Sequence, residues 1–179
     1  MRILLLRHAK SSWDNLNLRD HDRPLASRGE RAAPAMGAHF ADTDLRVDRI
    51  VSSSAARAWS TARLFREAFD AEVPLTSRRD LYHADEMDLL SIAFEEADAD
   101  RDGRIMLVGH NPGLHDLALF LCGEGVPDEV ARLQEKFPTG ALAEFELPGS
   151  PTPELEPNSS RLVRFVRPKD LPEAKELRL

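Results

Sequence analysis

Residues 1–8 read Met1-Arg2-Ile3-Leu4-Leu5-Leu6-Arg7-His8, four consecutive aliphatic side chains that stop at an arginine and a histidine. A continuously apolar run suits a strand covered on both faces, as in a parallel sheet flanked by helices, and not a strand with one wet face. Ile105-Met106-Leu107-Val108 repeats the pattern, and Arg49-Ile50-Val51 is a shorter version of it. Helical spacing lies between these runs. Ala32, Met36 and Phe40 recur on one face, as do Ala58, Ala62, Phe65 and Phe69, and then Met87, Leu90, Phe94 and Ala97. A fourth helix, Gly113 to Leu121, is expected to begin near Asn111-Pro112. Strand and helix alternate, which predicts an α/β fold, a three-layer α/β/α sandwich around a mostly parallel central sheet.

Ser27 and Glu30 have the spacing of a capping box that starts the first helix, and Pro34 inside that helix is expected to kink it. After Phe137-Pro138-Thr139-Gly140 the apolar period changes to two, with Ala143, Phe145 and Leu147 alternating with Glu144 and Glu146. A proline-rich stretch, 148–157, separates this strand from a second, Leu162 to Val166, so a closing hairpin or edge pair is expected. Residues 168–179 are charged and carry prolines, the composition of a loosely docked tail. No internal repeat is present, and residues 1–179 read as one domain.

The formal net charge of -7 argues against a nucleic-acid or anionic-membrane surface, which needs a broad basic face. Any bound anion must therefore use a local pocket. Cys122 is the single cysteine, so a disulfide within the chain and a thiolate metal site are both excluded, and a reducing cytoplasm fits. Ile3 to Leu6 is far shorter than a signal-peptide core of about 7–15 residues or a spanning helix of about 20.

In an open α/β sheet, ligands collect beyond the carboxyl ends of the strands. Arg7 and His8 follow the first run, His110 follows Ile105 to Gly109, and Arg57 comes just after Ser52-Ser53-Ser54, where a strand gives way to a helix. Free backbone N–H groups and the helix dipole favour an anion at such junctions. A histidine between fixed cations stays neutral near pH 7 and can attack phosphorus, while arginine forks match the outer oxygens of a phosphoryl group. Three distant segments thus point to one phosphoryl-binding crevice.

Other residues offer less. Asp98-Ala99-Asp100-Arg101-Asp102-Gly103 reproduces half of a calcium loop, but the twelfth position, where a bidentate glutamate belongs, is Gly109. His110 and His115 are five apart, off one helical face, which disfavours a histidine-pair metal site. Trp13 and Trp59 read as packing groups, Lys10 as a solvated lysine, and His21 and His39 as surface residues.

The segments Arg7-His8-Ala9-Lys10-Ser11-Ser12-Trp13, residues 52–62 (S-S-S-A-A-R-A-W-S-T-A) and Val108-Gly109-His110-Asn111-Pro112-Gly113 resemble the histidine phosphatase superfamily, over most of the chain. The short length, Asp22-Arg23-Pro24-Leu25, and Ala9 in place of the commoner glycine resemble its SixA-type phosphohistidine phosphatase branch. The resemblance implies a phosphoglycerate mutase-like fold, lacking a large lid insertion. It implies that His8 is the nucleophile that becomes phosphorylated, that Arg7, Arg57 and His110 bind the phosphoryl oxygens, and that Ser11 lies near the phosphate. Water then attacks the phosphohistidine, with no metal or cofactor. Asp14 falls where larger relatives carry asparagine, and a carboxylate there repels phosphate unless it turns away.

Larger relatives use a general acid, usually a glutamate after the third strand. Here His83 is nearest the expected place, Asp85 and Glu86 compete with it, and the role is also compatible with none of them. Alkyl phosphate esters release a basic alkoxide and need a placed acid, whereas phosphohistidine releases an imidazole that protonates readily. With little material for a lid between Leu81 and Ile105, an uncovered site favours phosphohistidine on a protein over a small phosphate ester. A small-molecule phosphatase or mutase is the enzyme alternative, and a non-catalytic phosphoryl-binding module is the alternative of another class. Nothing in the sequence sets the oligomeric state or the partner.

Overall fold

The computed structural model describes residues 1–97, 103–149 and 155–179. Its strands are β1 (Arg2–Arg7), β2 (Arg49–Ser53), β3 (Leu75–Arg78), β4 (Arg104–Gly109), β5 (Cys122–Glu124), β6 (Leu142–Glu146) and β7 (Ser160–Val166). Its helices are α1 (Ser27–Ala41), α2 (Ala56–Phe69), α3 (Glu86–Glu96), α4 (Gly113–Leu121) and α5 (Pro127–Glu135). The strands form one sheet in the order β3-β2-β4-β1-β6-β7-β5. β1 pairs in parallel with β4, and β2 in parallel with both β3 and β4. β6 runs antiparallel to β1 and β7 on its two sides, and β5 pairs in parallel with β7.

The unbroken apolar run of β1 feeds two cores. Ile3 and Leu5 face one cluster with Leu107 of β4, Leu90 of α3 and Leu117 of α4, whereas Leu4 and Leu6 face another with Met106, Met36 of α1 and Phe65 of α2. Helices therefore cover both faces, the expected three layers. This also places the turn after β1, leading to α1, and the turn after β4, leading to α4, on opposite faces of adjacent strands. That divergence opens a crevice beyond the strand ends.

Three local expectations change. β6 and β7 form the expected antiparallel hairpin pair, but inside the sheet and not at its edge, and Glu144, on the polar half of the alternation, is buried with contacts to Arg2 Nη1 (2.7 Å) and Arg164 Nε (2.6 Å). α1 begins after Ala26 with no side-chain cap. The Ala26 N–H donates to Lys10 O (2.8 Å), next to a strand-like bridge between Ser11 and Leu25. Pro34 lies within this helix. α3 buries Leu89, Leu90, Ile92 and Ala93, and Met87 is exposed in its first turn, just after the Asp85 cap.

β5 and α5 have no counterpart in the hydrophobic reading; Pro127 at the helix start and buried Leu133 are the signals present. The segment from Pro168 lies against the α1 and α2 side, with Leu171 and Ala174 buried and Leu177 O accepting from Arg31 Nε (2.8 Å). Of the calcium-loop-like stretch, only Gly103 is among the described residues. Among them, no helix is long and apolar enough to cross a membrane.

Candidate active site

His8 is the first residue past β1, and its N–H still donates to Gly109 O at the end of β4 (3.0 Å). Its side chain is buried, and Nδ1 lies 2.8 Å from Ala9 O. A carbonyl only accepts, so Nδ1 carries the proton and Nε2 keeps its lone pair. Burial pushes the imidazole pKa down to about 4; the Ala9 carbonyl opposes this, and the charges of Arg57, Arg7 and Arg23 add to it. The ring is neutral at pH 7.

His110, just past β4, has its ring centroid 5.1 Å from that of His8. Nε2 sits 2.8 Å from Ser53 Oγ, at the end of the neighbouring strand β2. Burial, then the charges of His8, Arg57 and His83, lower its pKa to about 3. Nδ1 of His110 and Nε of Arg7 are buried polar atoms with no hydrogen-bond partner among the described residues. Both are free to bond to water or to a ligand entering the crevice. Arg7 is aimed by Nη1 donating to Phe137 O (2.8 Å), a carbonyl that also accepts from Asn111 Nδ2 (3.1 Å). Gly140, at φ +77, closes that loop by donating its N–H to Arg7 O (3.0 Å) and His8 O (3.1 Å).

Arg57, in the first turn of α2, completes the predicted quartet. Ala9 N–H donates to Thr61 Oγ1 (3.0 Å), which donates to Arg57 O (2.6 Å), so this turn is tied to the backbone beside His8. Its guanidinium contacts Asp20, with Nη2 2.8 Å from Oδ2. The same carboxylate accepts from Arg23 Nη1 (2.8 Å) and the Tyr82 hydroxyl (2.7 Å). Burial works against the charge, but the hydrogen bonds from Tyr82 and Arg57 hold Asp20 well below the usual carboxylate range.

Arg23 is the residue that the sequence reading used only as a branch marker. It is buried, donates to Ser11 Oγ (2.8 Å) and Ser12 O (3.1 Å), and its guanidinium lies over the Trp13 ring at 3.2 Å. Trp13 is thus an exposed plate for a site arginine and not a core group; Trp59 is also exposed. Ser11 reaches the site through Arg23. Asp14 is turned away, accepting from Ser12 Oγ (2.7 Å). His21, expected to be an unpartnered surface residue, contacts Ser54 Oγ (2.9 Å) and Asp22 Oδ1 (3.1 Å) and meets the Tyr82 ring edge-on at 5.0 Å.

Among the acid candidates, Asp85 Oδ1 accepts from Met87 N (3.1 Å) and Asp88 N (2.9 Å), which commits it to capping α3. His83, at φ 64, is exposed with its ring 4.0 Å from Tyr82 and 6.5 Å from His110. It stands at the rim. Glu86 lies in the first turn of α3. His115 is occupied elsewhere, its Nε2 2.8 Å from Leu133 O.

The sequence matches the family described as histidine phosphatase superfamily (branch 1) over residues 3–105. The chain belongs to that superfamily. An uncharacterized protein of Mycobacterium leprae is 33% identical over 168 residues, 92% of this chain and 100% of that protein. Among solved structures, a proposed phosphohistidine phosphatase SixA from Agrobacterium tumefaciens is 30% identical, with a TM-score of 0.74, covering 93% of this chain and 97% of that one. A second proposed SixA, from Nakamurella multipartitia, is 25% identical with a TM-score of 0.74 over 93% and 95%. This histidine phosphatase falls in the SixA-type branch, its fold is phosphoglycerate mutase-like without a large insertion, and it is a hydrolase of the phosphatase class.

Proposed function

We propose that the chain removes the phosphoryl group from phosphohistidine on proteins, through a covalent intermediate on His8. The observation that carries this reading is the His8 ring itself: Nδ1 tied to Ala9 O, Nε2 unencumbered, neutral at pH 7, and flanked by the unpaired Arg7 Nε and His110 Nδ1. In the first step the His8 Nε2 lone pair forms a bond to phosphorus as the substrate P–N bond breaks, and the leaving imidazole takes a proton. In the second, water attacks phosphorus, the His8–P bond breaks, and inorganic phosphate leaves. Charge spreads over the phosphoryl oxygens in both steps, and Arg7, Arg57 and His110 stabilise it as preset donors. A bound phosphate dianion also favours protonation of His110, adding a cation when it is needed.

The substrate class follows from what surrounds the leaving group. Asp20 is held ionised by two arginines and a tyrosine, and Asp85 is a helix cap, so neither suits a strongly basic alkoxide. An imidazole leaving group protonates readily and asks less. His83→Ala should therefore lower kcat/KM less than about tenfold with a phosphohistidine peptide.

The deciding experiment gives the protein a phosphohistidine peptide, a sugar phosphate and a glycerate phosphate, with chelator present. Wild type should prefer the peptide and carry acid-labile phosphate after brief exposure, and His8→Ala should lose both turnover and label. Efficient sugar-phosphate turnover would favour the small-ester reading. Neither label nor released phosphate from any substrate would favour a binding module.

A further inference from the structure

At the same end of the sheet a second charged feature lies beside the catalytic crevice. Arg28, Arg132, Lys136, Arg167 and Lys169 converge on a concave pocket of about 190 Å³. Five cations are concentrated there in a chain whose net charge is -7. Only part of this charge is compensated. Arg167 forms a two-pronged pair with Asp170 (2.8 Å on each prong), and Glu135 lies on the pocket wall. Arg132 Nε donates to the backbone oxygen of Asp128 (3.2 Å). The side chains of Arg28, Lys136 and Lys169 make no hydrogen bond or ion pair among the described residues.

The topology fixes where this pocket stands. Leu142 at the start of β6 is opposite both Leu6 near the end of β1 and Val166 at the end of β7, so the residues just before β6 and just after β7 share the end that carries His8. Pro138 and Thr139 line the pocket, and Gly140, next in sequence, donates to the backbone of Arg7 and His8. β7 is two positions from β1 in the sheet, roughly 10 Å at ~4.8 Å per strand. Arg167 and Lys169, just past the end of β7, therefore stand two strand spacings (~10 Å) from the strand that leads into His8.

We propose that this basic pocket binds carboxylate side chains of the protein substrate, about 10 Å from the phosphorylated histidine. The proposal rests on the phosphoprotein reading above and gives it a selectivity element. The acidic enzyme repels an acidic partner at long range, and the pocket reverses that sign beside the site, orienting the partner and raising its encounter rate.

The test uses two fluorescent peptides centred on an unphosphorylated histidine, one with Asp and Glu about three residues away on either side, the other with Lys at those places. By fluorescence anisotropy in low salt, wild type should bind the acidic peptide at least about tenfold more tightly, with the preference shrinking near 0.3 M salt as charges are screened. The triple variant Arg28→Gln, Lys136→Gln, Lys169→Gln, checked for a wild-type melting curve, should lose the preference. Equal affinities in wild type, or a preference that survives in the variant, would overturn the proposal. So would tight binding of pyrophosphate at the pocket with the acidic peptide ignored, which would assign it to small phosphorylated compounds. Phosphorylated forms of both peptides separate the two ideas. Equal turnover of both keeps the phosphatase reading and removes the pocket, while selective binding without turnover keeps the pocket and removes the phosphatase reading.

Discussion

His8 and His110 are both buried and neutral, and this has a cost in acid. The unfolded chain takes up a proton on each near pH 6.5, whereas the folded protein resists until about 4 for His8 and about 3 for His110. Between those limits the unfolded state binds more protons, so folding stability rises with pH. The contribution is complete above about pH 6.5 and disappears as pH falls through 4 to 3. Urea unfolding across that window should show a steep acid slope in wild type and a flatter one in the His8→Gln, His110→Gln double variant. Asp20 supports a second residue-level prediction. Its carboxylate already occupies a donor of Arg57 that a phosphoryl oxygen would use, so Asp20→Asn should bind inorganic phosphate about tenfold more tightly, ~1.4 kcal/mol. Weaker phosphate inhibition in that variant would show that the carboxylate aligns Arg57 and does not compete with the ligand. Neither Asp20 nor Arg23 is legible as a site residue in the sequence. Their chemistry comes from a short 3-10 turn at Asp20–Asp22 being laid across the start of α2, a contact no local pattern encodes.

Elements position these side chains through close approaches as well as hydrogen bonds. Gly29 in the first turn of α1 lies so near the loop after His8 that a Cβ there would stand 2.2 Å from Lys10 O. The neighbour is backbone and yields only if the helix or the loop moves. Gly29→Ala should therefore destabilise by ~1–3 kcal/mol and lower kcat, read from thermal melting and turnover together. Glu144 on β6 is a different case. It is buried, while its partners Arg2 and Arg164 keep 29% and 17% of their side chains exposed. Glu144→Gln should cost about 2 kcal/mol in urea, less than the ~3–5 of a fully enclosed pair, because the arginines still reach water. The strands β1 and β4 were legible because burial on both faces leaves an uninterrupted apolar run. The pairing of β6 with β7 was legible from its alternation, but its place inside the sheet was not, because glutamate alternating with apolar residues looks the same whether the glutamate meets water or a half-buried arginine.

For the whole molecule, the sequence contained the layer order and the convergence of His8, His110 and Arg57 at one end of the sheet, since both follow from which runs are apolar and where they stop. It did not contain the charge distribution. Arg28, Lys136 and Lys169 are far apart in the chain and each looks like an ordinary solvated cation until the sheet brings their segments to one end. Topology also governs how the protein is made. β1, which ends at Arg7, just before His8, is flanked by β4 and β6, strands that leave the ribosome only after most of the chain has been translated. Until then the earliest strand has two unpaired edges and an apolar surface on each side, a template for association between nascent chains. Truncations ending after residue 121 should be recovered as aggregates, and a chaperone that shields those first residues should raise the yield of the intact protein.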